Sequence, residues 1–202
     1  MSKMPSKVEV SSSVRQKWNQ RYASLDPQDR RQPTPFVMSC LSQLPVKGRA
    51  LDIAAGAGRH SLALARHGLQ VDAIDISWQG LRLIRQRALE ARCNPEQIRF
   101  IVADIERTWP LRGQYNVVLV SFFLYRPLFP IIKNCLLPGG WLIYETFTTE
   151  QLIQSEHHCP SRPDFFLKPG ELQGAFSDFE ILFYDEGMHN NRATAQLLAQ
   201  KP

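Results

Sequence analysis

A chain of 202 residues with 44% hydrophobic and 21% charged side chains is long enough to bury a real core and has ordinary globular composition. Its net charge of +5 favours anionic partners, but the basic residues are scattered with no run of five, which disfavours a dedicated nucleic-acid surface. Cys40, Cys93, Cys135 and Cys159 stand far apart without CxxC spacing and signal neither a zinc knuckle nor a disulfide framework, and no apolar leader or membrane-length run occurs, so a cytoplasmic setting without membrane contact is expected.

Residues 1–13, rich in Ser and Lys, read as a flexible tail, and 14–202 as a single domain. Val14, Trp18 and Tyr22 recur every four residues, the stripe of a short helix able to act as a lid. A loop, DPQDRRQPTP, then leads to a helix that Pro35 can start. From residue 49 the chain alternates. RALDIAA reads as a strand and RHSLALARHG as a helix; LQVDAIDIS as a strand and WQGLRLIRQRALEARC as a helix. IRFIVADI is a third strand, and YNVVLVSFFLY a fourth, apolar enough to be buried on both faces. PLFPIIKNCL reads as a helix, LPGG as a turn and WLIYETF as a fifth strand. After a short helix in LKPGELQGAF, the runs FEILFYDEG and ATAQLLAQK are joined by MHNNR, too short for a crossover helix, and should pair as an antiparallel hairpin. The expected fold is α/β, Rossmann-like and doubly wound, mostly parallel with a C-terminal antiparallel hairpin.

In such a sheet, ligands bind beyond the carboxyl ends of the strands. After the first strand, AAGAGRH offers Gly56 and Gly58 for a tight turn and a helix N-terminus with free N–H groups. Asp75 ends the second strand, nineteen residues past Gly56, where a carboxylate accepts both hydroxyls of a ribose. Asp104 ends the third, where an adenine amino group lies. Each alone has a bland reading, as a turn residue or helix cap; together, in consecutive βα units, they point to an adenosine compound. A dinucleotide motif would have a third glycine where Ser61 stands, and Asp52 beside the turn would repel a pyrophosphate but suit an ammonium or sulfonium group. S-adenosylmethionine carries both.

LDIAAGAGRHSLALARHGLQVDAIDIS resembles the first two motifs of class I S-adenosylmethionine-dependent methyltransferases. WNQRY, FLKPGEL and YDEG extend the resemblance to the tellurite-resistance methyltransferase-like subgroup. It implies a seven-stranded sheet. It also implies that Gly56 and Gly58 flank the methionine part near Asp52, that Asp75 with Ile76 holds the ribose, that Asp104 and Ile105 sit at the adenine, and that Ser121 lies in the pocket floor. The family has glycine where Ala54 stands.

Trp18, Tyr22, Tyr125, Arg126 and Glu145 are candidates for the acceptor pocket, with Arg59 and Arg126 suiting an anionic acceptor. The expected function is methyl transfer to a small molecule, such as a tellurium or selenium oxyanion or a thiol; an RNA methyltransferase and a non-catalytic cofactor-binding protein are the alternatives. A metal reading of His157, His158 and Cys159 is set aside for want of partners at ligand spacing. A monomer or homodimer is expected.

Overall fold

The computed structural model describes residues 7–26, 32–90, 94–153 and 163–202. Its strands are β1 (Arg49–Ile53), β2 (Gln70–Asp75), β3 (Ile98–Val102), β4 (Tyr115–Ser121), β5 (Leu136–Phe147), β6 (Glu180–His189) and β7 (Arg192–Gln200). They form one sheet in the order β3-β2-β1-β4-β5-β7-β6. The first five are parallel. β7 runs antiparallel between β5 and β6, as the short MHNNR connection requires. Asn190 and Asn191 both adopt positive φ, 51° and 61°, which a two-residue hairpin loop needs and Asn tolerates. Strand order reverses between β1 and β4, so a crevice opens at their carboxyl ends.

The helices are α1 (Lys7–Ala23), α2 (Pro35–Cys40), α3 (Arg59–Arg66), α4 (Trp78–Glu90), α5 (Leu128–Cys135) and α6 (Glu171–Ala175). Alternating side chains split the core into two layers. Leu51, Ile53, Val118 and Val120 pack with Leu128, Ile132 and Phe176 on one face. Ala50, Val71, Leu119 and Ile143 pack with Val37, Leu64, Leu81 and Ile84 on the other. Each such buried aliphatic side chain contributes about 1.5–3 kcal/mol by leaving water.

Several boundaries differ from expectation. Helix α1 starts at Lys7, inside the segment read as tail. Strand β4 stops at Ser121 because Phe122 turns left-handed, although the apolar run continues to Tyr125. LPGG is not a separate turn but the irregular start of β5, where the pairing with β4 slips between Tyr115 and Val117 and Gly139 takes φ 72°.

At the amino ends of the strands, Asp72 is the centre of a charged cluster. It accepts from Arg49 Nη2 at 2.8 Å, from Arg99 Nε at 2.8 Å and Nη2 at 2.6 Å, and from Tyr115 Oη at 2.7 Å. Burial opposes its charge, but these donors outweigh it and hold the carboxyl below the usual carboxylate range, while burial beside Asp72 pushes the Tyr115 phenol up. The folded group thus keeps its charge to lower pH than the unfolded one. Its stabilisation is present above about pH 4, the ordinary aspartate value, and is lost as pH falls through the lowered folded value. Asp72→Asn should cost about 2–3 kcal/mol near neutral pH, read as a lower urea midpoint, and should flatten the acid limb of the stability curve.

Candidate functional site

The segment joining β1 to α3 is built from left-handed residues: Ala54 at φ 56°, Gly56 at φ 56° and Gly58 at φ 76°. The two glycines are needed for different reasons. A Cβ on Gly56 would lie 2.5 Å from Tyr22 Oη, so its bareness admits α1; one on Gly58 would lie 2.3 Å from Ile84 Cγ1, so its bareness admits α4. Ala54 holds its left-handed backbone with a methyl present, at a cost of about 1 kcal/mol.

Asp75, at the end of β2, is buried and binds this turn. Its Oδ2 accepts from Gly56 N at 2.8 Å and its Oδ1 from Ser77 N at 2.7 Å. A carboxylate has about four acceptor positions, so each oxygen keeps capacity for one further donor. Burial raises its pKa, and the backbone donors only partly oppose this.

Asp52, on β1, is 1% exposed and accepts from Ser61 Oγ at 2.5 Å. Burial pushes its carboxyl up to about 7; the nearby charge of Asp75 adds to the rise and the Ser61 bond opposes it. Ser61, on α3, occupies the position of the absent third glycine and thus serves the turn's own acid. Beside it, His60 is held neutral, its pKa lowered by burial to about 3, with Thr34 N donating to its Nε2 at 3.3 Å.

Helix α1 docks on this assembly. Asn19 Oδ1 accepts from Ser77 Oγ at 2.7 Å and from Gln79 N at 3.3 Å. Tyr22 stacks on Trp18 at 5.7 Å, and Arg21 lies over the Trp18 ring at 5.1 Å. Trp18 and Tyr22 therefore belong to the side of the site at β1 and β2. Ile76 is half-buried between Asp75 and Ser77. Beyond β3, Asp104 opens a turn, its carbonyl accepting from Arg107 N and Thr108 N at 3.1 Å each, and Ile105 is buried.

The loop after β4 departs from the sequence reading. Tyr125 Oη donates to Glu106 O at 3.0 Å, tying this loop to the one after β3. Arg126 grips Glu171 through Nε at 2.5 Å and Nη2 at 2.8 Å, and also donates to Asp164 O and Phe166 O at 2.9 and 3.0 Å. Its fork is engaged by four oxygens of the protein, and the expectation that it presents a charge to an acceptor is corrected: it clamps the segment before α6. The bond from Arg126 also holds Glu171 below the usual carboxylate range.

Two cations, Arg59 and Arg192, converge on Phe122 beside the crevice. Phe122, left-handed at φ 53°, donates its N–H to Glu145 O at 2.7 Å and packs its ring against Phe147 at 5.0 Å with the planes tilted by 42°. The Arg59 guanidinium lies 5.5 Å and that of Arg192 5.0 Å from the Phe122 ring centroid, both within cation–π range. Arg192 and Phe122 were not singled out from sequence. The hairpin reading held the missing signal, since an antiparallel β7 brings its first residues to the carboxyl end of β5, as the pair Phe147↔Thr194 shows. Glu145 and Ser121 are neighbours in register on β5 and β4. His157, His158, Cys159 and Cys93 lie outside the described residues, and among the described residues no group of three His, Cys, Asp or Glu could hold a metal ion. No helix among the described residues is long and apolar enough to cross a membrane.

Strand order and the left-handed glycine turn give the chain a Rossmann-like methyltransferase fold. Residues 50–140 match the family described as a methyltransferase domain. The ubiquinone biosynthesis O-methyltransferase of Bordetella bronchiseptica is 28% identical over 141 residues, 61% of this chain and 58% of that protein, so the chain spans less than two thirds of that relative's length. The putative methyltransferase YqeM of Bacillus subtilis is 33% identical over 79 residues, 39% of this chain and 30% of that protein. Among solved structures, TehB from Haemophilus influenzae has a TM-score of 0.68 at 22% identity, over 82% of this chain and 61% of that one. Magnesium protoporphyrin IX methyltransferase from Synechocystis, solved with bound S-adenosylmethionine, has a TM-score of 0.69 at 18% identity, over 98% and 100%.

Because the Asp52 carboxyl is raised in the fold, folding takes up a proton between about pH 4 and pH 7, and stability falls as pH rises through that window. Asp52→Asn should remove this loss and stabilise the unliganded protein by about 2–4 kcal/mol at pH 8, with little difference at pH 4; urea melts across that range check it. Ala54→Gly should raise stability by about 0.5–1 kcal/mol by relieving the left-handed alanine, read in the same melts.

Proposed function

We propose that this protein is an S-adenosylmethionine-dependent methyltransferase acting on a small acceptor with negative charge. The observation that carries the cofactor reading is the Asp75 carboxylate, fixed by two backbone N–H groups beside the left-handed turn and still able to accept from two hydroxyls. The donor set fits the cofactor's chemistry. Asp75 would take the ribose hydroxyls, Asp104 and Ile105 would border the adenine, and Asp52 would face the ammonium, a cation that repays the cost of ionising a buried acid. When bound, the cofactor supplies a methyl group on a positively charged sulfur.

The protein's own contribution is to position and to exclude water. Helix α1 covers the turn through Asn19 and Tyr22, and the Phe122–Phe147 pair bounds the crevice on the β4–β5 side. Arg59 and Arg192 favour an anionic acceptor there, and the acceptors expected from sequence, oxyanions and thiols, fit that field. The comparisons support methyl transfer as a class; the relatives' acceptors, a ubiquinone precursor step in one name and magnesium protoporphyrin IX in another, are chemically unlike each other.

Asp75→Ala should weaken S-adenosylmethionine binding by about 2–4 kcal/mol, because two hydrogen bonds to a charged group disappear. Calorimetry with the folded variant checks it, and unchanged affinity would remove Asp75 from the site. Arg192→Ala should raise the KM of an anionic acceptor about tenfold at low salt and less at high salt, leaving cofactor affinity unchanged.

A further inference from the structure

Glu145 is 2% exposed, yet only one of its oxygens has a hydrogen-bond partner among the described residues. Oε1 accepts from Gln196 Nε2 at 2.8 Å across the β5–β7 pair. Oε2 is buried and has no hydrogen-bond partner among the described residues, and the same holds for Oγ of Ser121. The two residues are register partners on β4 and β5, so their side chains leave the same face of the sheet side by side. They do not bond each other. A buried carboxylate oxygen can only accept, and a fold that needed this position solely to hold Gln196 would be served as well by an amide.

The place of this pair matters. Ser121 lies one residue past the last β1–β4 pair, Ile53↔Val120, and so stands beside the turn. Phe147 is two residues beyond Glu145, on its face, and Phe122 takes the Glu145 carbonyl. Other titratable or charged groups on the elements packed around this face are Cys40 on α2, Asp52 on β1, Arg59 and His60 on α3, His189 on β6 and Arg192 on β7. The Cys40 thiol is pushed up to about 12 chiefly by burial, with the charge of Glu145 adding, and His189 is engaged with Thr194 and Asp185. Among the described residues no cation hydrogen-bonds Oε2.

We propose that Glu145 is the proton acceptor of the reaction and that the methyl acceptor therefore arrives with its nucleophile protonated, as a hydroxyl or thiol, rather than as a bare oxyanion. This rests on the methyl-transfer reading above. The nucleophile's lone pair forms the new bond to the methyl carbon, the carbon–sulfur bond breaks with its pair left on sulfur, and the X–H proton passes to Glu145 Oε2, leaving to solvent with the product. Ser121 Oγ holds the same group in line, and Gln196 keeps the carboxylate turned toward it.

The test uses the full chain with S-adenosylhomocysteine and 3-nitro-4-hydroxybenzoate, a probe whose carboxylate suits Arg59 and Arg192 and whose absorbance reports ionisation of its phenol. In Glu145→Gln the bound phenol should ionise at least one pH unit lower than in the wild type, while the dissociation constant of S-adenosylhomocysteine changes less than threefold. With labelled S-adenosylmethionine, kcat/KM for the probe should fall at least a hundredfold at acidic pH, with the deficit shrinking as rising pH ionises the phenol. Should Glu145→Gln fail to fold, Ser121→Ala should weaken probe binding more than threefold with cofactor binding intact. An unchanged phenol titration, a loss equal at every pH, or wild-type protein that binds S-adenosylhomocysteine but not the probe overturns the proposal. A wild type that binds no S-adenosylhomocysteine overturns the underlying cofactor reading instead.

Discussion

The site depends on one carboxylate that serves two turns. Asp75 takes an N–H from the turn after β1 on one oxygen and an N–H from the approach to α4 on the other. Where a strand gives way to a helix, such groups lose their sheet partner before the helix can supply one. By meeting both, Asp75 fixes the separation of two βα units. Ser77 passes the constraint on through its hydroxyl, which donates to Asn19 and so anchors α1. Turn, acidic strand end and helix α1 are one assembly. A change in any of the three is felt by the others.

The two ends of the sheet treat buried acids in opposite ways. At the amino ends, Asp72 has more donors than its burial requires and its pKa falls. At the carboxyl ends, Asp52 and Asp75 are buried too but accept from fewer donors, none of them charged, and theirs rise. Among the described residues, Glu145 has one oxygen bonded and one not. Self-sufficient pairing pins strand register and asks nothing of a ligand. Under-paired acids cost stability in the unliganded fold and are retained where an arriving donor or cation makes up the deficit.

Much of this was legible in the residue order. Buried parallel strands must be apolar on both faces, so β1, β2 and β4 stand out, and a short loop between two strand-like runs leaves only a hairpin. Helix α6 was equally visible, as the short helix expected in LKPGELQGAF. What sequence could not carry was where an apolar run stops being a strand. Nothing in SFFLY marks the left-handed turn at Phe122, a conformation aromatic residues seldom adopt. Nor could it show whom Arg126 would meet, since its partner Glu171 lies on α6, brought close only by the folded loop. Position beside a strand end made Arg126 look available; the chain's own carboxylate had taken it.

Phe122 shows how the β4–β5 side of the crevice is held together. A left-handed backbone at an aromatic residue costs about 1–3 kcal/mol, and a glycine would remove that cost. A glycine would also remove the ring against which Phe147 packs and over which both guanidiniums rest. Arg59 comes from the start of α3 and Arg192 from the start of β7, and two like charges brought to one place repel unless something between them attracts both. The negative face of one ring supplies that surface. The strain at Phe122 is therefore tied to holding two cations against one ring beside the crevice; under the proposed function, that placement would lower the ordering cost of an anionic acceptor.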